Sequence, residues 1–131
     1  MIDWVLLFAA ITMVESGGDH SAVGDNGLAI GPMQIQPVMV DDVNRILELK
    51  KDKFRFTLND RKFTSTSRSI ARVYFDHYAK SYQKNTGKTP SYEYYARCWN
   101  GGPMGWKRNS TDDYWRKVKR EIERLRLEGK K

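Results

Sequence analysis

The chain is poor in the residues that make covalent and metal staples: its 131 residues include one cysteine, Cys98, and two histidines, His20 and His77. A single thiol excludes an internal disulfide, so folding requires no oxidising compartment. Two imidazoles and one thiol without paired spacing exclude a zinc site. Long apolar runs are missing too. The segment from Trp4 to Val14 is apolar but too short to span a bilayer, follows Asp3 instead of a basic stretch, and runs into Glu15 instead of a small-residue cleavage site. It reads as a core helix, with no membrane insertion. No internal repeat, low-complexity tract or linker divides the sequence, and its length fits one domain covering 1–131.

Several functional patterns start and then fail. Gly87-Lys88-Thr89 matches the end of a phosphate-binding loop, but the glycine required five residues earlier is Tyr82. Asp19-His20-Ser21 contains the residue types of a catalytic triad, yet three neighbours in a loop cannot converge on one another. Around Asp25 the alternate oxygen ligands and the closing glutamate of a calcium loop are absent. No metal or organic cofactor is implied.

What is present is a globular composition, with 40% hydrophobic residues and a formal charge of +7. The first excludes a disordered chain; the second implies an anionic partner, for which nucleic acid, acidic phospholipid and anionic cell-wall polymers all qualify. Tyr92, Tyr94, Tyr95, Trp99 and Trp106 can stack on bases, but sugars stack on the same rings. Arg116, Lys117, Lys119, Arg120, Arg124 and Arg126 spread around a solvated helix face, as on an ordinary surface helix, so nucleic acid is not the expected partner.

Periodicity predicts a mainly helical fold. A first helix runs from Trp4 to Glu15, followed by a glycine-punctuated loop with a turn at Gly24-Asp25-Asn26-Gly27. Val40, Val43, Ile46 and Leu47 mark a helix over 37–49, with Asp41 and Asp42 in its first turn. Phe54, Phe56 and Leu58 alternate, which fits a short strand or hairpin and equally an extended loop. A third helix covers 67–82 and ends at Gly87 and Pro90; Ser91 caps a short aromatic helix through Tyr94, Tyr95 and Cys98, broken by Trp99-Asn100-Gly101-Gly102-Pro103; and Trp115, Val118, Ile122 and Leu125 mark a last amphipathic helix.

Glu15 is the outstanding candidate for chemistry. Trp4, Leu7, Phe8, Ile11 and Glu15 share one helical stripe, so the carboxyl is expected among apolar side chains at the negative end of the helix dipole. Both effects raise a carboxyl pKa and suit a general acid. A solvated helix-end glutamate is the alternative. Glycoside cleavage also needs stabilisation of an oxocarbenium-like transition state and a nucleophile. Asp19 and Asp25 are the nearby candidates for a second carboxylate, and turn formation is the commoner role for both.

Three segments, Glu15-Ser16-Gly17, Gly31-Pro32-Met33-Gln34-Ile35 and Trp99-Asn100-Gly101-Gly102-Pro103, together resemble the lytic transglycosylase and goose-type lysozyme families of the lysozyme-like superfamily. The resemblance spans most of the chain. It implies a mainly α, lysozyme-like single domain that cleaves the β-1,4 bond between N-acetylmuramic acid and N-acetylglucosamine in peptidoglycan. Glu15 then matches the catalytic acid, with Ser16, Met33, Gln34, Tyr95, Trp99 and Asn100 as substrate-binding positions. The family's single-glutamate route, in which a muramic acid hydroxyl attacks to give a 1,6-anhydro product, is the first expectation and hydrolysis the second. Trp99 stands where the family usually has tyrosine, and Pro32 where it usually has leucine. The resemblance implies an envelope-located, bacteriolytic monomer (a muramidase or transglycosylase) acting on peptidoglycan strands and attracted by charge to anionic wall polymers. A glycan-binding domain without activity and a basic nucleic-acid-binding module are the alternatives.

Overall fold

The computed structural model describes residues 1–129 and is mainly helical, with one small antiparallel sheet. In order, the elements are α1 (Trp4–Ser16), β1 (Val23–Gly24), β2 (Ala29–Ile30), α2 (Pro37–Leu49), α3 (Thr64–Thr86), α4 (Tyr92–Gly101) and α5 (Asp112–Glu128). The chain divides into two compact units. One comprises Met1–Val14 with Tyr82–Lys131, the other Glu15–Ser81, so the divisions fall inside α1 and α3.

In the Glu15–Ser81 unit, α2 begins at Pro37, whose fixed φ suits the first helical position, and buries Val40, Val43, Ile46 and Leu47 as the spacing predicts. Asp41 and Asp42 lie beyond its first turn, which holds no acid. Asp42 instead accepts hydrogen bonds from the Tyr78 hydroxyl at 2.6 Å and from Arg45 at 2.8 Å, linking α2 to α3. From α3 come the buried Ile70, Ala71, Tyr74, Phe75 and Ala79. This helix starts at Thr64, three residues before the expected Ser67; Ser67 is wholly buried, its hydroxyl donating to the Arg61 carbonyl at 3.0 Å.

Of the two forms expected for Phe54–Leu58, the structure has the extended loop over 54–57, and Leu58 opens a 3-10 turn that runs to Lys62. The alternation is real, with Phe56 buried and Phe54 and Leu58 exposed, but the loop's pairing partner is a side chain. The Asn44 amide donates to the Phe56 carbonyl at 3.0 Å and accepts from the Phe56 N–H at 2.8 Å, imitating one rung of a ladder. The sheet lies elsewhere, in the glycine-rich loop, where Val23 pairs with Ile30 and Gly24 with Ala29 around a turn with Asp25, Asn26 and Gly27 all at positive φ.

In the other unit, α1 buries Leu7, Phe8, Ala10 and Ile11. The Asp3 carboxylate accepts from the Leu6 N–H at 3.1 Å and so satisfies one open donor at the start of α1. Ser91 caps α4 as expected, accepting from the Tyr94 N–H at 3.1 Å. Tyr94, Tyr95, Ala96, Cys98 and Trp99 of α4 are buried, as are Val118 and Ile122 of α5. Arg97 of α4 joins the two, donating to Asp112 at 2.5 Å and to the Thr111 hydroxyl at 3.2 Å.

Candidate functional site

The residues singled out in the sequence fall in both units: Glu15, Ser16, Met33 and Gln34 in one, Tyr95, Trp99 and Asn100 in the other. Glu15 occupies the penultimate position of α1 and is half-buried, a less enclosed setting than its apolar stripe predicts. The helix stops because Gly17 and Gly18 take positive φ, at 65° and 91°. Next to Glu15, the Ser16 hydroxyl donates to the Pro32 carbonyl at 2.7 Å and accepts from the Gly18 N–H at 3.1 Å. This ties the end of α1 to the Gly31–Gln34 turn.

That turn is built for packing. Met33 is 1% exposed and belongs to the core, so it cannot line an open groove. Gln34 takes φ +54°, and its amide donates to the carbonyls of Ala22 at 3.1 Å and Gly31 at 3.0 Å. It clamps the hairpin shut. Asp19 accepts from the Ser21 N–H and hydroxyl, at 2.9 and 2.7 Å, and the hydroxyl bond is the main cause holding its carboxyl below the ordinary value. Asp25 accepts from the Gln36 amide at 2.8 Å. Both carboxylates therefore hold turns, and neither is marked as a second catalytic acid.

In the other unit, Tyr95 is 6% exposed and packs against Trp4 and Tyr94, with ring centroids 4.9 and 5.2 Å apart. Trp99 is 8% exposed, whereas Asn100 is exposed near the end of α4. Gly102, at φ +86°, ends that helix.

A feature the sequence did not announce is an open cleft of about 610 Å³ in the Glu15–Ser81 unit, lined by His20, Ser21, Val23, Ile30, Lys62 and Phe63. Val23 and Phe63 are more than half exposed, at 63% and 52%. His20 Nε2 lies 3.2 Å from the Thr64 hydroxyl, and Lys62 supplies a positive charge on the lining. The hairpin wall is held by Arg61, which is 9% exposed and donates to the carbonyls of Leu28 at 3.0 Å, Ile35 at 3.1 Å and Leu58 at 2.9 Å. Burial lowers the pKa of this guanidinium, and carbonyl dipoles supply its hydrogen bonds. Among the described residues no group of three or more His, Cys, Asp or Glu is placed to hold a metal, and no helix is long and apolar enough to cross a membrane.

No family model matches the chain, and no curated protein matches it. Among solved structures, a chain of the "Crystal structure of Aeromonas hydrophila PliI in complex with Meretrix lusoria lysozyme" is similar to it at 25% identity and a TM-score of 0.69, over 88% of this chain and 87% of that one. PliI is a periplasmic lysozyme inhibitor, so this crystal holds a protein recognising a protein. The finding corrects the expectation of a bacteriolytic enzyme that cleaves peptidoglycan with Glu15 as general acid. It likewise runs against the expected peptidoglycan strands and wall polymers, since the partner in that crystal is a protein. The lytic transglycosylase and goose-type lysozyme families receive no support, and what survives of the resemblance is a relation to the lysozyme system.

Proposed function

We propose that this chain is a protein-recognition domain of the lysozyme–inhibitor system, acting by binding a protein partner and not by cleaving a glycan. The observation that carries the reading is the likeness to a chain of the PliI–lysozyme complex over nearly the full length of both. The cleft beside Val23 and Phe63 supports it, because it offers apolar surface outside the core, where a partner's side chain can be buried. Of the expected site residues, Gln34 holds the hairpin that carries Val23 and Ile30, Ser16 ties the end of α1 to the turn beside it, and Met33 packs in the core. Tyr95 and Trp99 act from within their own unit as packing. A chain working in this system belongs in the cell envelope, in keeping with the periplasmic location of PliI.

The test is binding of the purified chain to an immobilised lysozyme and to an immobilised PliI-type inhibitor, alongside lysozyme inhibition and release of soluble fragments from purified cell walls. Saturable binding to one of the two, at a Kd of about 1 μM or tighter, is expected, and Phe63→Asp should weaken it at least about tenfold. Absence of binding to both, or release of wall fragments by the chain itself, overturns the reading.

A further inference from the structure

The chain contains two Asn-Gly steps, Asn26-Gly27 and Asn100-Gly101. Such a step is chemically labile, because a glycine nitrogen has no β-carbon beside it to hinder its approach to the preceding side-chain amide. Once that nitrogen gives its proton to hydroxide, it attacks the asparagine Cγ; the new N–Cγ bond closes a succinimide ring and the side-chain nitrogen leaves as ammonia. Water then opens the ring at one of its two carbonyls. Opening at the side-chain carbonyl gives aspartate, and opening at the main-chain carbonyl gives isoaspartate, whose main chain is longer by one carbon. Water is the co-reactant throughout.

The fold separates the two steps. Asn26 and Gly27 are both exposed, at the tip of the hairpin between the paired residues Gly24 and Ala29. Asn26 takes φ 57° and ψ 37°, and Gly27 takes φ +91°. Among the described residues none bonds the Asn26 side-chain amide, and a β-carbon on Gly27 would have nothing within 4 Å. Rotation of Asn26 toward the neighbouring nitrogen therefore displaces no packed group; it opens a turn closed by the Leu28 N–H on the Asp25 carbonyl at 3.2 Å. Asn100-Gly101 lies instead in the last turn of α4, and a β-carbon on Gly101 would stand 2.5 Å from the methyl group of the buried Thr111. Turning that peptide requires unwinding the end of the helix against its packing.

We propose that Asn26 is a site of spontaneous deamidation and isomerisation, and that its isoaspartate product unlocks the β1–β2 hairpin. The loop from Gly24 to Ala29 has its length set by the strand register, and its first residue, Asp25, is held by the Gln36 amide at 2.8 Å. An added main-chain carbon at position 26 is absorbed at the expense of the Gly24–Ala29 pair or of that bond. Aspartate from the other ring opening keeps the main-chain length, tolerates the positive φ and adds an exposed charge. Val23 and Ile30 line the cleft, so isomerisation loosens that wall as the molecule ages. None of this depends on what the protein binds.

The experiment ages the full chain at mildly acidic and mildly alkaline pH, with parallel samples in denaturant, and follows both asparagines by peptide mass mapping and isoaspartate by enzymatic methylation. In denaturant the two steps should react within about threefold of each other, since both are Asn-Gly; in the native protein Asn26 should react at least about tenfold faster than Asn100, and faster at the alkaline pH because the attacking nitrogen must lose its proton. The Gly31 N–H, which donates to the Ala22 carbonyl at 2.9 Å, reports on the hairpin. Its exchange should rise at least about tenfold in the isoaspartate fraction and stay at the parent's rate in fresh Asn26→Asp and in aged Asn26→Gln. Equal native rates at the two asparagines, or an Asn26 that outlasts Asn100, overturn the site. Isoaspartate at position 26 with unchanged exchange at Gly31 overturns the unlocking.

Discussion

A β-carbon placed on Gly31 would stand 1.8 Å from the carbonyl oxygen of Arg61. The hairpin and the 58–62 turn therefore approach backbone to backbone, and only the absence of a side chain allows it. Gly31 also sits at φ +85°, where L-residues are strained. Gly31→Ala should destabilise the chain by roughly 2 to 4 kcal/mol in chemical denaturation. Gly27→Ala is the control: it shares the positive φ, at 91°, but has nothing within 4 Å, so about 1 kcal/mol is expected. Equal losses would show that backbone strain, not the close approach, sets the cost.

Arg61 is the second half of the same joint. Replacing it with methionine keeps the bulk but removes the guanidinium bonds to the carbonyls of Leu28, Ile35 and Leu58, of which Ile35 keeps the Ile30 N–H. An orphaned buried acceptor costs about 1–3 kcal/mol, partly offset here because burying the guanidinium is itself unfavourable. A net loss of about 2 kcal/mol is expected, together with faster amide exchange at Ile30, whose N–H bonds the Ile35 carbonyl at 3.1 Å. Arg61→Lys should not rescue it, since one ammonium cannot reproduce the planar fork.

For the loop at 54–57, Asn44→Leu removes both reciprocal bonds to Phe56. Loss of about 1–2 kcal/mol and of amide protection at Phe56 is expected, with the helical signal of α2 unchanged. Retained protection at Phe56 would mean that burial of its ring, not the Asn44 amide, fixes the loop.

These three joints explain what the sequence disclosed. The helices were legible because Val40, Val43, Ile46 and Leu47, or Val118 and Ile122, keep helical spacing on one buried face, and because Ser91 announces its cap. The sheet was not. Each strand has two residues, too few for alternation, and the hairpin is held from outside by Gln34 and Arg61. Phe54, Phe56 and Leu58 do alternate, but periodicity reports burial and cannot tell whether the partner is a strand or an asparagine. The motif around Gly31-Pro32-Met33-Gln34 misled for a related reason. Its glycine is demanded by the Arg61 carbonyl, its methionine by the core and its glutamine by the hairpin, so it encodes a joint, whatever activity its resemblance suggested. Phe63 and Val23 gave no warning of the cleft, since apolar residues in a loop read as core until their exposure is known.

Cys98 offers a titration that reports on the unit containing α4. The thiol is 1% exposed, faces the Pro103 carbonyl at 3.6 Å, and burial pushes its pKa up from 9.0 to about 11. The folded state thus disfavours the thiolate, while the unfolded chain ionises normally. Below pH 9 both states hold the proton and the group contributes no pH dependence. Between pH 9 and 11 the unfolded state binds fewer protons, so stability must fall as pH rises, by up to roughly 2–3 kcal/mol. Cys98→Ser brings a hydroxyl that does not ionise in this range, so its stability curve should stay flatter from pH 9 to 11 than the parent's. Native protein at pH 8 should also resist aromatic disulfide reagents and react at once in denaturant. Rapid labelling of the native protein at pH 8, or parallel pH profiles for parent and variant, would place the thiol in contact with solvent and refute the buried position of Cys98 in α4.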